Sequence, residues 1–216
     1  LGTDPWAVPR RVGRPTWSPD SKWVAYAARL NTLFRAIFVV NVETGVRTQV
    51  TDGMADATFP VWDASGKYLW FLASTDLGLG SQWLDMTSYD REETFGLYLA
   101  VLKKGDASPL LPESDEDKGV ASDTPRGATA TASPAADETP STPSRAAAPV
   151  TVTIDADGLQ RRIVAVAGVP SRQYAELQAG QAGTVYYLQA PDAGSGARGN
   201  TLHRYKLSDR KSVVFV

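Results

Sequence analysis

The sequence predicts an all-β chain: β-propeller blades of four-stranded antiparallel sheets, forming part of a propeller and interrupted by a disordered insertion. Three observations predict it. An aromatic-rich segment repeats at a blade-length offset, glycine-bearing turns punctuate strand-like runs, and no segment keeps a 3.6-residue apolar period, so helix content should be low.

The repeat comes first. Pro15-Thr16-Trp17-Ser18-Pro19-Asp20-Ser21-Lys22-Trp23-Val24-Ala25-Tyr26 matches Pro60-Val61-Trp62-Asp63-Ala64-Ser65-Gly66-Lys67-Tyr68-Leu69-Trp70-Phe71. The offset, 62 − 17 = 45 residues, lies within the range of about 40–45 for four-stranded blades. Trp17 and Trp62 each end a short strand. Ser18-Pro19-Asp20-Ser21 suits a type I turn, because proline presets φ at the second position. Gly66 supplies a residue free to take positive φ in the second copy.

Ala36 to Val42, Glu43-Thr44-Gly45 and Val46 to Val50 then read as a hairpin. Its counterpart is Leu97 to Leu102, Lys103-Lys104-Gly105 and a short strand near Leu110. The aromatics Phe38 and Tyr98 are 98 − 38 = 60 apart, so the second unit carries about 15 extra residues between Ser74 and Phe95. A third unit has Gln178-Ala179-Gly180-Gln181-Ala182-Gly183 in place of the Ser-Pro-Asp-Ser-Lys turn and runs on through Thr184 to Gln189, Thr201 to Leu207 and Ser212 to Val216, with Ile163-Val164-Ala165-Val166 before it as a separate strand.

Glu113 to Pro149 differs in kind. Its 37 residues include five Pro and nine Ala but no aromatic, Leu, Ile or Met, too little apolar surface to offset ordering entropy. The expected domains are therefore 1–112 (blades), 113–149 (disordered insertion) and 150–216 (blade or blades continuing beyond the chain). The chain begins at Leu1 and stops in an apolar run. Both ends read as cuts, which leaves room for a signal peptide upstream.

Composition narrows the function classes. Net charge is −2, so no basic footprint for nucleic acid is expected. No apolar run approaches the roughly 20 residues that span a bilayer. With no cysteine, thiolate catalysis and cysteine-bound zinc are excluded.

Candidate motifs are few. Gly194-Ser195-Gly196-Ala197-Arg198-Gly199 fits G-x-G-x-x-G, but a strand follows where a dinucleotide site needs a helix, so it reads as a hairpin loop. His203, the single histidine, lies in a strand without a nucleophile-elbow pattern and reads as structural. Asp155-Ala156-Asp157-Gly158 lacks the twelfth-position Glu of a calcium loop, because Val166 stands there, and reads as a turn. No catalytic, cofactor-binding or metal-binding residue is therefore expected, and no cofactor.

Arg10, Arg11 and Arg14 cluster beside Pro9 and Pro15. Their guanidinium forks suit a peptide carboxylate, against the plainer reading of a solvated loop. Trp83, within Ser81-Gln82-Trp83-Leu84-Asp85-Met86, lies among the extra residues of the second unit. It is a candidate for covering a channel mouth or meeting a partner, against local packing.

A long ordered set of segments resembles the second propeller of tricorn-type proteases, S41-type serine peptidases. It includes Asp4-Pro5-Trp6-Ala7-Val8-Pro9, Phe34-Arg35-Ala36-Ile37-Phe38, Val50-Thr51-Asp52-Gly53-Met54 and Asp157-Gly158-Leu159-Gln160-Arg161-Arg162-Ile163. The Ser-Pro-Asp-Ser-Lys turn alone is shared with TolB-like and prolyl-oligopeptidase-like propellers. The resemblance implies a parent with two propellers, a PDZ domain and a protease region, which degrades oligopeptides as a large homo-oligomer. This chain would then be a non-catalytic segment that gates or steers peptides to an active site elsewhere. Its partners would be peptide substrates and the remaining blades, PDZ and protease domains. The other reading is a TolB-like protein-binding module. The expected compartment is cytoplasmic, or periplasmic with an upstream signal.

Overall fold

The computed structural model describes residues 14–76, 93–111, 149–192, 195–196 and 198–215. Residues 1–110 and 150–216 group into one compact unit and 111–149 into another. The described strands all belong to the first, and they form three four-stranded antiparallel sheets. The first holds β1 (Thr16–Trp17), β2 (Trp23–Arg29), β3 (Arg35–Asn41) and β4 (Arg47–Gln49). The second holds β5 (Asp56–Trp62), β6 (Tyr68–Ser74), β7 (Gly96–Val101) and β8 (Ile163–Ala165). The third holds β9 (Tyr174–Ala179), β10 (Thr184–Gln189), β11 (Thr201–Lys206) and β12 (Lys211–Val214). Each sheet runs in chain order from one edge to the other, and a 3-10 turn at Leu159–Arg162 is the described helical element. These are propeller blades.

The 45-residue offset is an offset of register. Trp17 pairs with Val24 and Trp62 with Leu69. The turns also correspond: Ser21 N bonds to Ser18 O and Gly66 N to Asp63 O, both at 2.9 Å. Ser21 takes φ 59 where the second blade uses Gly66 at φ 73. The stabilising hydroxyl–carboxylate pair is kept with its ends exchanged. Ser18 Oγ donates to Asp20 Oδ1, whereas Ser65 Oγ donates to Asp63 Oδ1.

Strand β6 shows why these segments are apolar on both faces. Leu69, Phe71 and Ala73 enter the core shared with the first blade, while Trp70 and Leu72 enter the core shared with the third. Alternation sends successive side chains to opposite faces, and a sandwiched sheet needs apolar residues on each. The first and second blades are also joined at their inner strands. Trp62 Nε1 donates to Thr16 O (3.0 Å), and Thr16 Oγ1 donates to Pro60 O (2.9 Å). Its counterpart Trp17 is 60% exposed, against 4% for Trp62, because the described residues place no blade on that side.

The second blade corrects the sequence reading. Among the described residues no strand forms near Leu110. The fourth strand is β8, paired through Ala100–Ile163, Leu99–Val164 and Tyr98–Ala165, so Ile163 to Ala165 completes the second blade instead of standing alone. The residues of the expected insertion therefore fall between strands three and four of one blade. The free edge of β7 needs a partner, and pairing depends on position in space, not on the nearest residues in sequence.

The returning chain is fastened. Asp155 N bonds to Leu102 O (3.0 Å), Lys104 N to Asp155 Oδ2 (2.7 Å), and Arg162 Nε to Val101 O (3.0 Å). Asp155 to Gly158 thus forms a turn, as its sequence suggests, with Gly158 at φ 64. The expected disorder of 113–149 lies outside the described residues except for Pro149, as do most of the extra residues after Ser74. Those extra residues do fall between β6 and β7, which the intervening positions 75–95 connect.

Candidate functional site: a cleft at the inner strands

Strand β5 packs against both β1 and β9, so the first strands of successive blades converge. A cleft of about 480 Å³ opens there, and its walls include Arg14, Arg35, Phe59, Phe95 and Glu176.

Two backbone irregularities shape it. In β5 the register slips between Thr58 and Val61, leaving Phe59 and Pro60 opposite Phe71, with Phe59 at φ 50. In β9 the partners step from Leu177 to Ala175 against Tyr187 and Leu188, with Glu176 at φ 54. These are bulges at one equivalent position of neighbouring blades. A bulge kinks a strand and re-aims a side chain. Non-glycine residues at positive φ cost free energy, and such costs gather at ligand-contacting places.

Arg14 is the same position in the first blade, since 59 − 14 = 45 matches the repeat offset. One ring position therefore carries a guanidinium, an aromatic ring and a carboxylate in three successive blades. Arg14 and Glu176 are exposed and Phe59 is half-buried.

Behind this row sits an ion pair between blades. Arg35 Nε lies 2.9 and 3.0 Å from the two carboxylate oxygens of Asp56, and Arg35 N donates to Asp56 Oδ1 at 2.7 Å. Asp56 is buried, and Arg35 Nη1 reaches Thr58 Oγ1 at 3.4 Å. A two-pronged guanidinium–carboxylate contact fixes orientation as well as charge. It holds the entrance of β3 to the start of β5.

Of the residues singled out from sequence, Arg14 lines the cleft, while Arg10, Arg11 and Trp83 lie outside the described residues. Phe59 and Glu176 were missed. Adding 45 to Arg14 leads to Phe59; nothing in the third unit's altered turn leads to Glu176. His203 stands on β11, paired across the sheet with Tyr187, and its ring packs on that tyrosine. Burial pushes its pKa down. The glycine segment 194–199 lies between β10 and β11, with a strand after it. Among the described residues no group of three or more His, Asp or Glu gathers as a metal site.

No protein-family model matches this chain, and no curated protein matches it significantly. Solved structures do. The crystal structure of the tricorn protease matches with a TM-score of 0.56 and 15% identity, over 94% of this chain and 18% of that one. The putative TolB from Agrobacterium tumefaciens gives 0.47 and 10%, over 93% and 47%. TolB from Acinetobacter baumannii gives 0.46 and 13%, over 95% and 32%. The chain thus spans less than a fifth of the tricorn protease chain. At these identities the tricorn match speaks to fold alone, a propeller module.

Proposed function

We propose that this chain is a non-catalytic propeller segment of a tricorn-like serine peptidase, steering oligopeptides to an active site outside it. The observation that carries the reading is the inner-strand cleft. It sets a cation, aromatic rings and a carboxylate along adjoining inner strands, a combination that meets the charges and side chains of an extended peptide. The ordered sequence segments that resemble the tricorn second propeller supply the parent. Catalysis is assigned elsewhere because hydrolysis needs an activated nucleophile with a base in reach. The single histidine here is stacked on a tyrosine instead.

The test is a titration of the purified chain with short fluorogenic peptides. Saturable binding, weakened by Arg14→Ala, without turnover is the expected result. Absence of binding at millimolar peptide overturns the steering role. Turnover that disappears in His203→Ala overturns the non-catalytic reading.

A further inference from the structure

We infer that Arg14, Phe59 and Glu176 act together as a charge-ordered reader, selecting extended peptides that carry both an acidic and a basic group around an apolar residue. The inference rests on the peptide-steering reading and adds a ligand chemistry to it.

Four observations converge. The three side chains occupy one equivalent position in successive blades, so they follow one another along the inner edge. All three line the same cleft. Two of them are held at φ 50 and φ 54 by bulges that regular pairing with β6 and β10 does not require. Their chemistry is graded, from cation through aromatic ring to carboxylate, with Phe95 adding a second ring beside Phe59.

The gradient has a direction. An acidic group belongs at Arg14, where the guanidinium fork matches it. An apolar side chain belongs on Phe59 and Phe95, and an ammonium belongs at Glu176. Adjacent sheets stand about 10 Å apart or less where inner strands converge. The row therefore spans on the order of 10–20 Å, three to six residues of extended chain. Glu93 also lines the cleft beside Phe95, so a peptide with two carboxylates would set one of them against a carboxylate wall, and one with two ammonium groups would leave Arg14 unmatched. Arg35 is already committed to Asp56, so among the described residues of the cleft wall Arg14 is the cation presented to the ligand.

The test uses the full chain and three end-blocked fluorescent pentapeptides with a central aromatic residue. One is dipolar, with one carboxylate and one ammonium; one carries two carboxylates; one carries two ammonium groups. The dipolar peptide should bind about three- to tenfold more tightly than either other, the size expected of one or two exposed ion pairs. Arg14→Glu should shift the preference to the doubly basic peptide, and Glu176→Arg to the doubly acidic one. Thermal melts check that both variants fold, and Glu176→Gly, which fits the positive φ, serves as a variant that removes the charge without backbone strain. Equal binding of all three peptides by the wild-type chain overturns the reader and leaves peptide steering standing. Unaltered preference in the charge-reversed variants also overturns it. Failure of every peptide to bind overturns both.

Discussion

Tyr187 and His203 lie face to face, ring centroids 5.3 Å apart and planes 5° from parallel. The first blade holds Tyr26 against Phe38 at the corresponding cross-strand position, and the second holds Phe71 against Tyr98, each pair at 5.8 Å. The single histidine thus fills a place that the other blades give to an aromatic ring. Its environment is a packing slot, which burial makes unfavourable for the imidazolium.

That placement predicts a pH dependence. The folded-state pKa of His203 is lowered from about 6.5, its unfolded value. Between that value and the lower folded one, the unfolded chain binds more protons, so stability falls as pH falls. Above pH 6.5 the contribution is fully present. His203→Phe should fold normally at pH 7.5 and lose less stability than the wild type on acidification to pH 5. Urea melts at both pH values check this; identical losses would contradict it.

Trp62 should matter and Trp17 should not. Trp62→Phe removes an indole hydrogen bond to Thr16 O and leaves space in a buried site. A loss of about 1–2 kcal/mol is expected. Trp17→Phe changes an exposed side chain and should stay within about 0.5 kcal/mol. Denaturant midpoints of the two variants, compared side by side, decide it.

Asp63 is a sharper case. It is fully buried and accepts from Ser65 N at 2.9 Å, Trp70 Nε1 at 3.2 Å and Gly183 N at 2.7 Å. Asp63→Ala strands all these donors, at about 1–3 kcal/mol for each that finds no water. The variant should melt well below the wild type, and Asp63→Asn should recover part of the loss. At Asp20, burial alone would raise the pKa, but hydrogen bonds from Ser18 Oγ and the amides of Val152 and Lys22 lower it. That stabilisation should persist above the usual carboxylate value and fade as pH falls through the lowered one.

Asp56→Ala leaves the half-buried Arg35 without its carboxylate. Breaking one side of a buried pair costs about 3–5 kcal/mol, somewhat less here because Arg35 keeps some exposure. Replacing both, as Arg35→Met with Asp56→Leu, should cost less than Asp56→Ala alone. A double variant weaker than that single one would show that the pair does more than neutralise itself.

Much of this fold is legible in sequence wherever the repeat is strong. Trp17, Trp62 and the turns after them fix two blades and their register. The repeat weakens at Gln178-Ala179-Gly180-Gln181, a turn one residue shorter: Gly180 N bonds to Thr184 O, against Ser18 N to Trp23 O. Without that register His203 could not be matched to Phe38 and Tyr98, nor Glu176 to Arg14. The fourth strand of the second blade was hidden for another reason. Hydrophobic pattern identifies Ile163 to Ala165 as a strand but carries no record of which edge it joins. The bulges are illegible in principle, since Phe59 and Glu176 are ordinary residues at positive φ.

The position of β8 has a consequence for how the chain is made. Strand β7 ends at Val101 and its partner begins at Ile163, so the 61 residues 102–162 separate them. At synthesis rates of about 5–20 residues per second, β7 waits roughly 3–12 seconds for its neighbour to be made. A β-hairpin forms in about 1–10 μs. The first blade can therefore close as it emerges, while the second stands with three strands and one unpaired edge throughout that interval. A nascent-chain chaperone, or any passing strand, has its opportunity there, and the length of 113–149 sets how long that opportunity lasts.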